Sequence, residues 1–220
     1  MRRKKTKRSW NGVGGARIDP FLTFADTGRG VAGVDEVGRG CLFGPVVAAA
    51  VLLPRSAWEE LALAGVTDSK QLSAKKREAL AQMIKGAAID TRIGFATAKE
   101  IDRVNILQAS LLAMRRAVVK LKPPPEVCLV DGRFPVPDLS VSQRTLVGGD
   151  RESLVIAAAS IVAKVWRDDL VMRLAEKYPH YDLVANKGYG TPRHCLALQQ
   201  HGPSPQHRLS FRPCRVSESG

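Results

Sequence analysis

The sequence predicts an α/β domain built on a mixed β-sheet, with flanking helices and a helical C-terminal part. Segments with strand periodicity are interspersed with segments of helical periodicity, which is typical of a sheet covered by helices. The first two strands follow each other across a short glycine-containing turn and therefore form an antiparallel hairpin. A hairpin together with strands separated by helices makes the sheet mixed.

Five strands are predicted from apolar runs and from period-two alternation. They cover Val31–Val37, Pro45–Leu53, 88–97, Val127–Val130 and 142–147. The third strand is half-buried because its apolar side chains occupy alternate positions. The fourth is a short buried run.

Five helices complete the architecture, over 58–64, 74–85, 105–121, 151–177 and from Thr191-Pro192 to Gly202. Ser73 is a suitable N-cap for the second helix, and Gly86 lies just past its predicted end. Three consecutive prolines end the third helix. The fourth is the longest, and its Ala157–Ser160 stretch is small enough to approach the sheet closely.

Composition narrows the class of protein. The chain has 220 residues and 45% apolar content, enough for one domain with an appended tail. No apolar run approaches the roughly 20 residues that span a bilayer, so we expect a soluble protein. The four cysteines show no CxxC spacing, which predicts a reducing, cytoplasmic setting without disulfides. We also expect a monomer.

The charge points to a polyanionic partner. The formal net charge is +13 at pH 7, and six of the positive charges lie in the first eight residues. Basicity that serves only solubility is the alternative. We predict a basic, disordered tail and linker over residues 1–29, a catalytic domain over 30–213 and a short C-terminal tail over 214–220.

Acidic residues recur beside glycine at or near the ends of apolar strands. They are Asp35-Glu36, Asp131 and Asp150. Carboxylates gathered in one cleft repel one another unless a divalent cation lies between them, and all-oxygen ligands favour Mg²⁺ or Mn²⁺. Each has an ordinary alternative: Asp131 as a turn residue, Asp150 as a helix N-cap, and Glu36 as a side chain facing solvent.

Other residues have the chemistry of nucleic-acid contacts. Gly38-Arg39-Gly40 exposes bare backbone beside the acids, and Lys70 lies in a polar loop. Tyr189, between two glycines, can stack on a sugar or base, or alternatively pack under its loop. The histidines and late cysteines match no common zinc spacing. His201 and His207 are expected in a basic rim.

Several blocks of the chain, from about Val31 to Pro213, resemble the ribonuclease HII family. They are Ala32–Gly40, Asp68-Ser69-Lys70, Glu100-Ile101-Asp102, Asn105-Ile106-Leu107, Val130-Asp131-Gly132, Gly149-Asp150, Ile156–Lys164, Lys187–Thr191 and Gly202–Phe211. The resemblance implies a ribonuclease H-like fold. It also implies a metal-dependent endonuclease that acts on RNA–DNA hybrids or on single ribonucleotides embedded in DNA, and so removes ribonucleotides from DNA.

The resemblance also implies roles for the site residues. Asp35, Glu36, Asp131 and Asp150 correspond to the four acids that hold Mn²⁺ or Mg²⁺. Gly38, Arg39 and Gly40 correspond to the motif around the 2′-hydroxyl and adjacent phosphate, and Tyr189 to the tyrosine that stacks on the neighbouring deoxyribose.

The sequence departs from the family pattern at Gln71, Gly149 and Asn186, which affects substrate contacts and leaves the acids intact. Two other functions stay open. One is a nucleic-acid-binding module without catalysis, and the other is a different ribonuclease H-like nuclease such as a junction resolvase.

Overall fold

The computed structural model describes residues 30–215, which form a five-stranded mixed sheet flanked by helices. The strands are β1 (Val31–Val37), β2 (Val46–Leu53), β3 (Asp90–Ala96), β4 (Val127–Asp131) and β5 (Gln143–Leu146). Their order across the sheet is β3-β2-β1-β4-β5. The predicted tail over 1–29 and the residues after 215 lie outside the described part of the chain.

The pairing of the strands determines where the acids meet. β1 pairs antiparallel with β2, and β2 pairs antiparallel with β3. β1, β4 and β5 run parallel. Because parallel strands end at the same edge of a sheet, the loops that follow β1, β4 and β5 share one edge, where sites of α/β proteins gather.

Seven α-helices surround the sheet in the described residues. They are α1 (Trp58–Leu63), α2 (Ala74–Ala87), α3 (Ala98–Val118), α4 (Gly149–Glu152), α5 (Leu154–Lys177), α6 (Leu183–Asn186) and α7 (Pro192–His201). Short 3₁₀ segments lie at Arg55–Ala57, Ser69–Gln71, Pro179–Tyr181 and Arg212–Cys214. None of these helices is both long and apolar enough to cross a membrane.

Two cores lie on opposite faces of the sheet, because side chains of β1 and β2 alternate between them. Helices α2 and α5 cover one face, and α3 covers the other. Gly33 allows the closest approach: a Cβ at this position would overlap the backbone of Val155 in α5. A third core, around Phe43 and Tyr181, underlies the C-terminal helices.

The predicted sheet is confirmed, and three helix boundaries are corrected. Helix α2 continues through Gly86 to Ala87. Helix α3 begins at Ala98, because Thr97 and Glu100 form a capping box, and it breaks at Asn105, whose φ is 67°. The long fourth helix is two helices, separated at the extended residue Ser153.

Candidate active site

Three carboxylates converge where β1 and β4 end. Val34 pairs with Val130 in parallel register, so the next residues, Asp35 and Asp131, lie side by side on the two strands. One oxygen each from Asp35, Glu36 and Asp131 lie within 4.8 Å of one another. This spacing lets one cation contact all three, and hard carboxylate oxygens are the donors that Mg²⁺ and Mn²⁺ prefer.

Asp35 lies deepest in this carboxylate triad. Burial, together with the charges of Glu36 and Asp131, raises the pKa of Asp35 well above its usual value. Hydrogen bonds oppose this shift: the backbone N–H of Glu36 donates to Asp35 Oδ1 over 2.7 Å, and Ser160 bonds its carboxylate. Ser160 Oγ is in turn 2.8 Å from Ser69 Oγ. Ser160 of α5 therefore helps to orient the Asp35 carboxylate.

The anionic forms of Glu36 and Asp131 are also disfavoured. Burial raises the pKa of Glu36, while the Arg39 guanidinium, 3.1 Å from Oε1, acts in the opposite direction. Burial raises the pKa of Asp131 as well, although the backbone N–H of Gly149 donates to its Oδ1 over 2.7 Å. Three acids with raised pKa values in one cleft form a site that a divalent cation would stabilise.

Asp150 lies beside this triad but outside its shared ligand distance. It is 6% exposed in the first turn of α4, and its charge contributes to the raised pKa of Asp131. Its Oδ2 accepts a hydrogen bond from Lys70 Nζ over 3.2 Å. The N-cap alternative is wrong, because Gly148 occupies that position.

Lys70 reaches Asp150 from a loop that is fixed by a buried acid. Asp68, 1% exposed, accepts from the backbone N–H of Lys70 over 3.0 Å and from Arg151 Nε over 3.3 Å. Burial alone would lower the pKa of Lys70, but the hydrogen bond to Asp150 and the neighbouring acidic charges raise it. Asp68 thus ties the Lys70 loop to α4, a role that its polar sequence context does not reveal.

The Gly38–Gly40 loop has its carbonyls pointing inward. Arg208, fully buried, donates to the carbonyls of Gly38 over 2.7 Å, Arg39 over 2.8 Å and Gly44 over 3.0 Å. In a trans peptide, the C=O of one residue and the N–H of the next point in opposite directions. The N–H groups of Arg39 and Gly40 are therefore directed outward, toward solvent and any bound ligand.

A second buried arginine joins the segment after this loop to the loop that carries Tyr189. Arg167, also fully buried, donates to the carbonyls of Phe43 over 3.0 Å, Pro45 over 3.2 Å and Lys187 over 2.9 Å. Sequence reasoning missed both arginines. For Arg167 a signal existed: Ala163 and Val171, four residues before and after it, are core residues, so helical periodicity places it on the buried face.

Tyr189 stands next to the Gly38–Gly40 loop. Its backbone forms an isolated antiparallel bridge with Cys41, and Lys164 Nζ lies 5.9 Å from its ring centroid. The residue is 41% exposed, so the alternative of a tyrosine packed under its loop is wrong. Asn186, one of the departures from the family pattern, shapes this loop: its side chain accepts from the Gly188 N–H and donates to the Tyr181 carbonyl, both over 2.7 Å.

The structure corrects one histidine prediction. His207 is 2% exposed and hydrogen-bonds to His194, so it is no part of a basic rim; His201 is exposed. Within residues 30–215, the carboxylate triad is the one group of acids, imidazoles and thiolates spaced to hold a metal, so zinc ligation by the histidines has no support there. All four cysteines are free thiols.

The fold and the strand-end acids define a ribonuclease H-like protein. A solved ribonuclease H2 from Pyrococcus horikoshii superposes with a TM-score of 0.72 at 29% identity, covering 84% of this chain and 95% of that chain. At the level of sequence, the model of the ribonuclease HII family matches residues 32–214, and the chain belongs to that family.

Two curated relatives support the same family membership. A ribonuclease HII of Trichormus variabilis is 65% identical over 187 residues, which are 85% of this chain and 83% of that protein. A ribonuclease HII of Trichodesmium erythraeum is 62% identical over 186 residues, 84% and 88% of the two chains. The protein is therefore a ribonuclease H-type nuclease that hydrolyses phosphodiester bonds, from a divalent-metal-dependent family that acts on RNA–DNA hybrids.

Proposed function

We propose that this enzyme cuts the phosphodiester on the 5′ side of a ribonucleotide, leaving 3′-hydroxyl and 5′-phosphate ends. Its substrates are RNA–DNA hybrids and duplex DNA with single embedded ribonucleotides. One observation carries the proposal: the carboxylate triad of Asp35, Glu36 and Asp131 lies beside a backbone loop whose N–H groups face outward. The first group suits a hydrolytic metal centre, and the second suits the inspection of a ribose.

Asp35, Glu36 and Asp131 would hold Mn²⁺ or Mg²⁺, and Asp150 would complete the set. A bound divalent ion supplies Lewis acidity toward water and phosphate oxygens. Residues of this chain orient the metal ligands. Ser160 forms a hydrogen bond with the Asp35 carboxylate, and the Gly149 N–H donates to the Asp131 carboxylate. Asp150, at present paired with Lys70 at 3.2 Å, is close enough to Asp131 to share this task.

The Gly38–Gly40 loop would read the sugar. A 2′-hydroxyl both donates and accepts hydrogen bonds, and it is the group that distinguishes RNA from DNA at one position. The outward N–H groups of Arg39 and Gly40 can donate to it or to the adjacent phosphate. Nothing lies within 4 Å of a Cβ position at Gly40, which leaves room for a ribose against the backbone.

Tyr189 and Lys70 would extend the contact along the strand. The Tyr189 ring, 41% exposed beside the loop, can stack on the next deoxyribose and so favour an RNA-to-DNA junction. Lys70, with its side chain 76% exposed, can contact a phosphate.

We also propose that the catalytic domain spans residues 30–213 and that the enzyme works as a monomer in the cytoplasm. Its four free thiols suit a reducing compartment.

A duplex with one embedded ribonucleotide tests this function. We expect a single cut 5′ of the ribonucleotide with Mn²⁺ or Mg²⁺, none with EDTA, and none in the matched all-DNA duplex. A binding module would leave the strand intact under every condition. A junction resolvase would instead prefer a four-way DNA junction, and either result would refute the proposal.

A further inference from the structure

Two buried histidines form a hydrogen-bonded chain that ends on Tyr189. His194 Nε2 lies 3.0 Å from His207 Nε2, and the two residues are 0% and 2% exposed. At one end, His207 Nδ1 is 2.9 Å from the backbone nitrogen of Ser204 and 2.8 Å from its Oγ. At the other end, His194 Nδ1 is 2.9 Å from the carbonyl oxygen of Tyr189.

The directions of these bonds follow from the Tyr189 carbonyl, which can only accept. His194 therefore has its proton on Nδ1, and the bare Nε2 of neutral His194 accepts from His207 Nε2–H. In neutral His207 the Nδ1 atom then carries no proton. It accepts from the Ser204 backbone N–H, and the Ser204 hydroxyl, 2.8 Å away, can donate to it as well.

Both imidazoles are neutral in this arrangement. A proton on His194 Nε2 would oppose His207 Nε2–H, and a proton on His207 Nδ1 would oppose the Ser204 N–H and leave only the Ser204 hydroxyl to accept it. The surroundings favour neutrality: the Phe43 and Tyr181 rings pack on His207 at 5.0 and 4.6 Å, and burial lowers the pKa of both histidines. The charge of Asp182 acts on His194 in the opposite direction.

Tyr189 is held through both of its backbone groups. Its N–H donates to the Asn186 carbonyl over 3.0 Å, and Gly188 before it has a φ of +86°. Its carbonyl accepts from the Thr191 N–H over 2.9 Å, and His194 Nδ1 is a second donor to the same oxygen. His194 therefore links the backbone that carries the exposed Tyr189 ring to the buried histidine pair.

We propose that His194 is a positioning residue for Tyr189, and that His207 and Ser204 select the tautomer of His194 in which it can act. This inference rests on the proposed function of Tyr189 as the residue that stacks on the sugar after the ribonucleotide. His194 touches no substrate; it acts through the tyrosine backbone.

Two substitutions of His194 distinguish the roles of its two ring nitrogens. The Asn amide in His194→Asn takes the place of Nδ1 and can still donate to the Tyr189 carbonyl. The Gln amide in His194→Gln reaches the place of Nε2 and loses that donor. We measure kcat and KM for cleavage at a ribonucleotide followed by a deoxyribonucleotide, and at one followed by another ribonucleotide, with Tyr189→Ala as reference.

We expect His194→Gln to lose the junction preference by about tenfold, to the level of Tyr189→Ala, and the double variant to lose no more. His194→Asn keeps most of the preference. If His194→Gln keeps the wild-type preference, or if its loss adds fully to that of Tyr189→Ala, the inference is wrong. Cleavage by the wild-type enzyme in the same assay tests the proposed function separately.

A measurement on the unmodified protein covers the case in which a variant fails to fold. Nitrogen-15 NMR of the imidazoles at neutral pH reports which ring nitrogen is protonated. We expect the proton on Nδ1 of His194 and on Nε2 of His207. The opposite tautomers, or a charged ring at either position, would overturn the inference, whatever the enzyme cleaves.

Discussion

Asp35 and Asp131 follow directly on Val34 and Val130, which are paired neighbours in the parallel strands β1 and β4. The two acids therefore lie at the same level of the sheet, although almost a hundred residues separate them in the chain. With Glu36 they place three oxygens within 4.8 Å of one another. The sheet, rather than any loop, fixes this geometry.

The repulsion within the carboxylate triad predicts a trade between stability and function. Asp131→Asn removes one of three mutually repelling acids, so in EDTA at pH 7 we expect the free energy of unfolding of the variant to exceed that of the wild type by about 1 kcal/mol. Added Mn²⁺ should stabilise the wild type and have little effect on the variant. Thermal unfolding in the two conditions measures both effects. A variant less stable in EDTA and equally responsive to Mn²⁺ would contradict this account.

Two glycines of the same loop should respond differently to alanine. Gly38 has a φ of +88°, and a Cβ there would overlap the Arg167 guanidinium, so Gly38→Ala should lower the free energy of unfolding by about 3 kcal/mol. Nothing lies within 4 Å of a Cβ at Gly40, so Gly40→Ala, the matched control, should stay within about 0.5 kcal/mol of wild type. Urea unfolding measures the free energy of unfolding of both variants. Equal losses in the two variants would show that Arg167 does not restrict this loop.

Arg208 should resist conservative replacement. Its fork donates to three carbonyls, and lysine, a point charge on a flexible stem, cannot replace that geometry. We expect Arg208→Lys to cost about 2 kcal/mol of stability and to raise KM, because the Gly38–Gly40 loop loses its support. Arg173→Lys, at an exposed ion pair on α5, is the control and should change neither quantity.

The buried histidines predict a pH dependence of stability. Burial lowers the pKa of His207 to about 4, from an ordinary value of 6.5. Between these values the unfolded chain binds a proton that the folded chain does not, so stability is full above pH 6.5 and falls as the pH drops toward 4. Over this pH range, protonation of His207 in the unfolded chain lowers the free energy of unfolding by on the order of 3 kcal/mol.

His207→Phe keeps an aromatic ring at this position and cannot titrate. The free energy of unfolding, measured from pH 7 to pH 4, should therefore fall less steeply in the variant than in the wild type. Parallel curves would mean that His207 takes up its proton equally in the folded and unfolded states, against the buried, neutral imidazole described above.

Much of the fold follows from local patterns, because apolar alternation and turns report on neighbouring residues. The hairpin of β1 and β2, the Ser73 cap, the start of the last helix at Thr191-Pro192 and the strand-end acids were all predicted from such patterns. The helical segment from Ala98 to the break at Asn105 was not predicted. The predicted helix began at Asn105, where the side chain caps the second segment by accepting from the Leu107 and Gln108 N–H groups.

The contacts that hold the candidate site in place were less predictable, because they join residues that are distant in the chain. Arg208 acts on carbonyls of the Gly38–Gly44 turn, and His207 is buried against His194 and Phe43. In the sequence both look like members of a polar, basic loop. Only the third core, which closes over them, turns them into buried residues with fixed partners.

Single-turnover cleavage by Asp35→Asn tests the central claim most directly. The substrate is a duplex with one ribonucleotide, saturated with enzyme in Mn²⁺, and binding is measured in parallel at low salt. We predict that binding persists while cleavage falls by at least about a thousandfold, because the triad then lacks its most buried carboxylate. Cleavage at the wild-type rate would contradict the assignment of the carboxylate triad as the catalytic metal site.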